Sequence, residues 1–322
     1  MKVIIPAAGF GKRLQPHTFS QPKPLLTVAD KPIIAHILDP LVKLEPEELI
    51  LVIGYMADEV EEYIRQNYSI KATFIRQEKL LGLGYAVNLA LQRVDNEPVL
   101  ILLGDTIVGC DFDRFISAGS NVLGLRQVDD PQRFGIAEVE ANSIFRVEEK
   151  PQNPKTNLAL IGLYYLSQSD LLRTKLEENI AAGRTTSGEI QLTDALQAMI
   201  QSGAKFTPFE VAAWYDCGKK ETLLATNRHL LSLLPAPDPI EGSTIIPPSF
   251  IAPDVDIRQC VLGPNVSIAS GSRITDSIIK DSIIGQGAVV QDSVLSDSLV
   301  GPNVRLIGKC TKVNIGECSE IG

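Results

Sequence analysis

The decisive stretch of the sequence is Lys2-Val-Ile-Ile-Pro-Ala-Ala-Gly-Phe-Gly-Lys-Arg-Leu14, in which an apolar run passes directly into a loop of small residues and cations. The run predicts a buried strand, and the glycines predict a tight turn at its carboxyl end. Small residues let backbone N–H groups approach phosphate oxygens, and Lys12 and Arg13 place positive charge beside them. The loop is not a P-loop, because no Gly-Lys-Ser/Thr follows. Since a glycine-rich turn can also be purely steric, its meaning depends on the rest of the chain.

A second basic element follows at Gln21-Pro22-Lys23-Pro24. The two prolines stiffen the chain around Lys23 and can hold its ammonium group at a fixed site. Residues 1–31 carry five Lys or Arg and one Asp, a net charge of +4, whereas the whole chain has a net charge of −9. Positive charge is therefore concentrated where an anionic ligand would need it.

The first 234 residues alternate between two patterns. Strand-sized apolar runs lie at Lys2 to Ile5, Glu48 to Ile53, Lys71 to Arg76, Pro98 to Leu103 and Asn121 to Val128, with helical apolar spacing between them. This alternation predicts an α/β domain over residues 1–234 with a Rossmann-like, mainly parallel sheet. Shorter strand-like pieces after Val128 predict a mixed extension of the sheet, and Pro40 is expected to kink or end the first helix.

The remaining chain has a different period. Three prolines in Pro235-Ala-Pro-Asp-Pro239 predict a linker over residues 235–243. From 244 to 322, aliphatic residues recur every five to seven positions: Ile245, Ile251, Ile257, Leu262, Ile268, Ile274, Ile279, Ile284, Val290, Leu295, Val300, Ile307 and Val313. This period predicts a hexapeptide-repeat β-helix of about four coils with roughly 18 residues per coil, and a β-sandwich would instead show irregular loop lengths. The stretch resembles left-handed β-helices, in which such residues point into a narrow core.

Composition excludes several classes of protein. The chain has 322 residues, 44% hydrophobic and 21% charged, which fits two globular domains rather than a disordered or membrane-spanning protein. The acidic net charge argues against a nucleic-acid or membrane-surface partner. No targeting pattern is recognised, so a cytosolic location is expected. The cysteines are odd in number and form no C-x-x-C pair, which predicts reduced, mostly buried thiols rather than disulfides or zinc: Cys110, Cys217, Cys260, Cys310 and Cys318.

The two basic elements together resemble the signature of the sugar-1-phosphate nucleotidylyltransferases, also called nucleotide-sugar pyrophosphorylases. Further stretches resemble that family in the same order along residues 1–234. They are Gln77-Glu-Lys-Leu-Leu-Gly82-Leu-Gly84, Leu103-Gly104-Asp105, Glu149-Lys150-Pro151 and Trp214-Tyr-Asp-Cys-Gly218. The ordered set is far more specific than any one of its members.

The resemblance implies a role for each matching residue. It implies that Arg13 and Lys23 are catalytic and that Asp105 and Asp216 hold Mg²⁺. The nucleotide would be bound by Ala8, Gly9, Gly11, Gln77 and Gly82. The sugar phosphate would be bound by Gly135, Glu149 and Lys150.

Structural explanations compete with several of these roles. Asp105 could cap a turn, but ligands of open α/β sheets bind at the carboxyl ends of strands, where Asp105 is expected. Glu149 and Lys150 could be solvated hairpin charges. The segment Gly188-Glu-Ile-Gln-Leu-Thr-Asp194 also resembles the family, but its pattern fits packing and capping equally well, so it is not assigned to the site.

The sequence narrows the choice of nucleotide and sugar phosphate to two pairs. Local resemblances favour transfer from UTP or dTTP to glucose-1-phosphate, with GTP and mannose-1-phosphate as the alternative. Non-catalytic regulatory or assembly subunits share the same two-domain plan, but the retention of three cations and two acids favours catalysis. An acetyltransferase function of the β-helix is disfavoured because residues 242–322 contain no histidine. Self-association through the β-helix into a homo-oligomer is expected.

Overall fold

The computed structural model describes residues 1–308 and 311–321, so Cys310 and Gly322 lie outside the described residues. The chain divides into two compact units. The first comprises Met1–Gly9 and Ile37–Trp214, and the second comprises Phe10–His36 and the chain from Tyr215 onward. The loop after the first strand is therefore part of the unit that contains the C-terminal repeats. The domain bounds predicted at residues 234 and 244 stay a prediction.

The elements before the repeats are short strands and helices connected by brief loops. The strands are β1 (Lys2–Ala7), β2 (Thr27–Val28), β3 (Lys31–Pro32), β4 (Glu48–Ile53), β5 (Ala72–Arg76), β6 (Val99–Leu102), β7 (Thr106–Gly109), β8 (Asn121–Gln127), β9 (Gly135–Glu140), β10 (Ser143–Glu149), β11 (Leu158–Leu166), β12 (Thr207–Glu210) and β13 (Ala213–Asp216). The helices are α1 (Ile33–Val42), α2 (Ala57–Asn67), α3 (Leu83–Leu91), α4 (Phe112–Ser117), α5 (Ser169–Ala181), α6 (Leu192–Gln201) and α7 (Lys220–Ser232). Single turns of 3-10 helix occupy Lys12–Leu14, His17–Phe19, Lys23–Leu25 and Pro131–Arg133.

The first unit is built on a nine-stranded sheet with the order β10-β9-β11-β6-β1-β4-β5, to which β8 and β12 are joined through β11. Strands β6, β1, β4 and β5 are parallel, whereas β11 is antiparallel to β6, β8 and β9. The sheet is thus parallel at its centre and mixed at one side. This arrangement confirms the predicted Rossmann-like, mainly parallel fold and its mixed extension after Val128.

Burial explains why these apolar runs become strands. All six residues of β4 are buried, as expected for a central parallel strand covered on both faces. Helices α3, α5 and α6 contact one another, and their buried residues join the main core cluster. Pro40 lies inside α1, which continues only to Val42, so its missing N–H falls in the last turn of the helix.

The chain from residue 244 forms a three-faced parallel β-helix. Its strands are β14 (Thr244–Ile245), β15 (Ser249–Ile251), β16 (Asp256–Arg258), β17 (Val261–Leu262), β18 (Val266–Ile268), β19 (Arg273–Thr275), β20 (Ile278–Lys280), β21 (Ile283–Ile284), β22 (Val289–Gln291), β23 (Val294–Ser296), β24 (Leu299–Val300), β25 (Arg305–Ile307), β26 (Asn314–Ile315) and β27 (Glu320–Ile321). Face A carries β14-β17-β20-β23, face B carries β15-β18-β21-β24-β26, and face C carries β16-β19-β22-β25-β27. The predicted left-handed β-helix is thereby confirmed.

Two details of the repeat differ from the prediction. Thr244 pairs with Val261, Val289 with Arg305 and Leu299 with Asn314, so a coil advances 17, 16 or 15 residues rather than 18. The corners are compact because single residues such as Asp276 (φ 48°) and Asp292 (φ 50°) adopt the left-handed conformation. At Ile307 the predicted inward position is wrong. Leu306 fills the core there, because it stacks on Val290.

The core of the β-helix is otherwise the predicted aliphatic column. The cluster contains Ile257, Leu262, Ile268, Ile274, Ile279, Ile284, Val290, Leu295 and Val300, against which Ile245, Ile251 and Val313 pack while remaining partly exposed. Buried serines link successive coils: the backbone N–H of Ser293 donates to Ser277 Oγ, and that of Ser298 donates to Ser282 Oγ, each at 3.1 Å. The buried polar groups at these corners are therefore hydrogen-bonded.

Two further predictions concern thiols and membranes. Cys217 and Cys260 are buried, Cys110 is half-buried and Cys318 is exposed, and none of these four described cysteines forms a disulfide. Burial raises the pKa of the Cys110 thiol to about 11, which keeps that side chain protonated at neutral pH. Among the described helices, none combines the length and the apolar character needed to cross a bilayer.

Candidate active site

The parallel strands of the first unit end at one edge of the sheet, and several predicted residues follow them there. Ala8 follows β1, Gln77 follows β5, and Asp105 lies in the turn after β6. The turn is held close to β1, because the N–H of Gly104 donates to the carbonyl of Pro6 at 3.0 Å. The structure thus places Ala8, Gln77 and Asp105 at the carboxyl edge, where ligands of open α/β sheets bind.

Small residues keep this edge narrow. A Cβ on Gly104 would lie 2.6 Å from Ala7 Cβ, and a Cβ on Gly54, which follows β4, would lie 2.8 Å from the Ala8 carbonyl oxygen. Side chains at either glycine would force the strand ends apart. Gly9, by contrast, is exposed and has no atom within 4 Å of a Cβ built on it, so the space beside it is open.

Gln77 and Gly82 bracket the loop that leads into α3. Gln77 is 7% exposed, and its side-chain Nε2 donates to the Lys79 carbonyl at 3.0 Å. Gly82 has φ 111°, and a Cβ there would lie 2.6 Å from the Ile190 carbonyl oxygen. Both the backbone conformation and the close approach require glycine at this position.

The segment left unassigned in the sequence, Gly188–Asp194, is held against this loop. The N–H of Gly84 donates to the Ile190 carbonyl at 2.8 Å, and the N–H of Ile190 donates to the Leu81 carbonyl at 2.7 Å. Reciprocal backbone bonds of this kind fix both segments together. The segment therefore supports the turn around Gly82 in addition to starting α6.

Gly135, Glu149 and Lys150 are brought together by the antiparallel pair β9–β10. Gly135 lies directly opposite Glu149, and a Cβ on it would lie 2.9 Å from Glu149 Oε2. The same Oε2 accepts a hydrogen bond from Thr193 Oγ1 at 2.7 Å. Lys150 is 42% exposed on its side chain, and its Nζ lies 3.5 Å from Glu149 Oε1. The pKa of Tyr164 is raised well above its usual range, mainly because the side chain is buried and secondly because the Glu149 carboxylate is near.

In the second unit, Gly11 and Lys23 touch each other. Gly11 has φ 69°, and a Cβ on it would lie 3.2 Å from Lys23 Cβ and 3.0 Å from Thr18 Cγ2. Thr18 Oγ1 also donates to the Gly11 carbonyl at 3.1 Å. Lys23 is 8% exposed and sits in the short helix after Pro22, so the alkyl chain of this cation is packed rather than solvated.

Arg13 and Asp216 meet at Gly218. A Cβ on Gly218 would lie 2.7 Å from Arg13 Nη2 and 2.7 Å from Asp216 Oδ1. The guanidinium and the carboxylate therefore both lie against the α-carbon of this glycine, although Arg13 and Asp216 are about two hundred residues apart in the sequence. The two groups have opposite charges, so each favours the position of the other beside this glycine.

Comparison with known proteins identifies the family. Residues 2–232 match the family model described as nucleotidyl transferase, which is more than half of the chain. The chain belongs to the nucleotidyl transferase family. This finding confirms the resemblance on which the predicted roles depend.

Relatives within the nucleotidyl transferase family carry more than one name. The chain is 35% identical over 235 residues to the bifunctional protein GlmU of Methanococcus maripaludis, covering 72% of this chain and 55% of that protein. It is 31% identical over 293 residues to a glucose-1-phosphate thymidylyltransferase of Streptomyces griseus, covering 87% and 81%. Among solved structures, a UDP-glucose pyrophosphorylase from Acinetobacter baumanii superimposes with a TM-score of 0.61 at 25% identity, over 73% of this chain and 94% of that one.

The chain spans about half the length of the GlmU relatives that it matches.

The donor chemistry of the predicted metal site fits Mg²⁺. Among residues 1–308 and 311–321, no cluster of three or more His, Cys, Asp or Glu side chains could hold a metal. Mg²⁺ in phosphoryl-transfer sites is bound by one or two carboxylates together with substrate phosphates. Asp105 and Asp216 are hard oxygen donors of this kind, and both are partly accessible to solvent.

Two residues that contact predicted site residues are not singled out by the sequence. Thr193 lies in the unassigned segment, and its hydroxyl bonds the predicted sugar-phosphate residue Glu149. Gly218 ends the Trp214–Gly218 stretch, and the side chains of Arg13 and Asp216 lie against its α-carbon. Thr193 and Gly218 both lie inside stretches that resemble the family. The sequence therefore shows the motifs but not the contacts that these two residues make.

Proposed function

We propose that this chain transfers a nucleotidyl group from a nucleoside triphosphate to a sugar-1-phosphate. A phosphate oxygen of the sugar phosphate attacks the α-phosphorus of the triphosphate and forms a P–O bond. The bond between the α-phosphorus and the bridging oxygen breaks, and pyrophosphate leaves with the electron pair. The observation that carries this proposal is the meeting of Arg13 and Asp216 at Gly218, in a chain of the nucleotidyl transferase family.

The chemistry requires no activated nucleophile. A sugar-1-phosphate is already ionised at neutral pH, so its oxygen attacks without a general base. The barrier lies in bringing two polyanions together and in stabilising the charge that develops on pyrophosphate. Fixed cations and a divalent metal meet that need, which agrees with a site built from lysine, arginine and aspartate.

The residues divide by the group that they would contact. Arg13 and Lys23 hold the triphosphate and stabilise the departing pyrophosphate, and the backbone at Ala8, Gly9 and Gly11 lies along its phosphates. Gln77 and the turn at Gly82 bind the base. Glu149 and Lys150, with Gly135 giving room beside them, bind and orient the sugar phosphate.

A metal completes this proposal. Asp105 and Asp216 would hold Mg²⁺, which would supply Lewis-acid stabilisation of the phosphate charge. Carboxylates near two phosphorylated substrates need such a countercharge. The cytosolic location expected from the sequence remains a prediction.

The substrates that we propose are UTP or dTTP together with glucose-1-phosphate. The local sequence resemblances support this pair, and so do relatives named as glucose-1-phosphate thymidylyltransferase and UDP-glucose pyrophosphorylase. GTP with mannose-1-phosphate is the alternative among enzymes of the same reaction class.

The decisive experiment is a screen of pyrophosphate release. Purified chain with Mg²⁺ is assayed with ATP, GTP, CTP, UTP and dTTP against glucose-1-phosphate, mannose-1-phosphate and their amino-sugar counterparts. We expect release above background with UTP or dTTP and glucose-1-phosphate, and loss of that release in the Lys23→Ala variant. Release with GTP and mannose-1-phosphate alone would select the alternative. No release with any pair, while nucleotide still binds, would indicate a non-catalytic member of the family.

A further inference from the structure

The basic loop Phe10–His36 belongs to the same compact unit as the β-helix, and it is fastened to face B of that helix. His17 is 3% exposed, and its ring Nε2 donates to Asn314 Oδ1 on β26 at 2.9 Å. Beside this bond, a Cβ on Gly316 would lie 3.0 Å from Pro16 Cβ. A larger residue at Gly316 would therefore push the loop off the coil.

Thr18, the residue after His17, links this contact to the predicted catalytic residues Lys23 and Arg13. Thr18 donates from Oγ1 to the Gly11 carbonyl at 3.1 Å, and its Cγ2 packs against the Gly11 α-carbon. Gly11 in turn touches the Lys23 side chain and lies two residues before Arg13. Three successive contacts thus connect Asn314 of the β-helix to Lys23.

A second set of hydrogen bonds, made through α7, holds the part of the loop around Ala29. The side chain of Asn227, which is buried, accepts at Oδ1 from the Ala29 N–H at 2.8 Å and from Ser267 Oγ at 2.6 Å. Its Nδ2 donates to the Asn265 carbonyl at 3.3 Å. One amide group therefore joins the loop, helix α7 and the β-helix.

Face B is covered where these contacts occur. Ser267, Ile283, Leu299 and Asn314 are stacked in register as its outward row. Ile283 and Leu299 are nevertheless 3% and 5% exposed, and α7 contacts β15 and β18 of this face. The loop and α7 thus belong to one packed layer with the β-helix in the second unit.

We infer that the β-helix is the positioning support of the catalytic loop, with His17, Asn314 and Asn227 as positioning residues for Lys23 and Arg13. The inference rests on the proposed function, because it gives those two cations a catalytic task. Phosphoryl transfer depends on fixed cations, and a displacement of about 1 Å in a positioned group can reduce turnover about a hundredfold. A face that only covered apolar surface would not need to reach the loop through hydrogen bonds at two separate places.

The test uses two variants of Asn314 and one control in the full chain. Asn314→Ala removes the acceptor of the His17 ring, and Asn314→Asp keeps an acceptor oxygen in the same place. Asn314 is itself exposed, so neither change creates a buried cavity. Arg305→Ala is the control, since Arg305 lies on face C of the same coils and its Nε pairs with Glu320 at 3.2 Å.

Two measurements are made on each variant. Hydrogen–deuterium exchange reports on amides of the loop that donate within it, such as those of Leu14 and Phe19, and requires no substrate. Steady-state kinetics reports kcat together with KM for the sugar phosphate. In Asn314→Ala we expect faster exchange over residues 10–25, kcat reduced about tenfold or more and an unchanged sugar-phosphate KM. Asn314→Asp and Arg305→Ala are expected to stay close to the wild type in both measurements.

The outcomes separate this inference from the proposed function. Unchanged loop exchange in Asn314→Ala would overturn the inference whatever the enzyme activity. Faster exchange with an unchanged kcat would also overturn it, because the loop would then be held without being positioned for catalysis. A wild-type chain that releases no pyrophosphate with any substrate pair would refute the proposed function, and the exchange data alone would then decide whether the β-helix holds the loop.

Discussion

At the scale of single residues, Gly9 and Gly11 occupy one loop but have different surroundings. Gly9 has open space where a Cβ would be, whereas Gly11 has φ 69° and is crowded by Thr18 and Lys23. We expect Gly11→Ala to lower the free energy of unfolding by about 1–2 kcal/mol, because an L-residue is strained there. Gly9→Ala should change that free energy by less than about 0.5 kcal/mol. Chemical denaturation of both variants measures the difference.

Gly9→Ala also tests whether the triphosphate occupies the open space beside Gly9. If phosphates of the triphosphate lie against Gly9, then Gly9→Ala should raise KM for the nucleotide although the fold is unaffected. A Gly9→Ala variant with unchanged nucleotide KM would show that the triphosphate does not approach this residue.

Asp105 provides a second prediction at this scale. Asp105→Asn keeps the shape of the side chain but removes the charge that would hold Mg²⁺, so kcat should fall at least about a hundredfold. Asp113→Asn, on the exposed first turn of α4, is the matched control and should retain activity. Turnover is measured over a range of Mg²⁺ concentrations, with circular dichroism to verify folding. Near-normal turnover in Asp105→Asn at saturating Mg²⁺ would contradict the metal role.

At the scale of elements, α6 and β10 are joined by the bond from Thr193 Oγ1 to Glu149 Oε2. Thr193→Val removes this donor, and hydrogen bonds to charged groups contribute about 1.5–3 kcal/mol. We therefore expect KM for the sugar phosphate to rise about tenfold, with a smaller effect on nucleotide KM. Thr174→Val is the control, because its hydroxyl donates to a backbone carbonyl on the exposed side of α5. An equal rise in both KM values would show that Thr193 acts on folding rather than on the orientation of Glu149.

The elements also show what a sequence can and cannot predict. Parallel strands and the β-helix were predictable, because each coil must place an aliphatic residue in its core and so imposes a period on the chain. The period is ambiguous at Leu306 and Ile307, because these adjacent residues are both aliphatic, and the predicted inward position of Ile307 is wrong. The meeting of Arg13 with Asp216 was not predictable from spacing. It depends on tertiary packing between residues far apart in the sequence.

At the scale of the whole molecule, His17 makes stability depend on pH. Burial lowers the pKa of His17 below its usual 6.5, and the nearby Lys220 cation lowers it further, although the bond to Asn314 opposes this shift. As pH falls through 6.5, the unfolded chain therefore takes up a proton before the folded chain does, and stability is lost. When the pH is lowered from about 7.5 to about 5.5, we expect the thermal midpoint of the wild type to fall more than that of His17→Gln. Equal shifts in the two proteins would assign the pH dependence to other groups.

Self-association through the β-helix stays a prediction, and the structure identifies the surface on which to test it. On face A, Val261, Ile278 and Val294 are stacked in register and point outward. Ile278 is 49% exposed and Val294 is 48% exposed, whereas Ile283 and Leu299 in the corresponding row of face B are 3% and 5% exposed. A contiguous aliphatic row on a flat sheet is the kind of surface that a second copy of the chain could bury.

A charge in the middle of this row should prevent the association. Ile278→Asp would place a carboxylate in the apolar contact, where its desolvation is unfavourable unless it is paired. Val289→Asp is the matched control, since Val289 points outward on face C between Arg273 and Arg305. Sedimentation at micromolar concentration should show an oligomer for the wild type and for Val289→Asp, and a monomer for Ile278→Asp. A wild-type chain that sediments as a monomer would rule out self-association in this range, and an Ile278→Asp variant that remains oligomeric would place the contact away from face A.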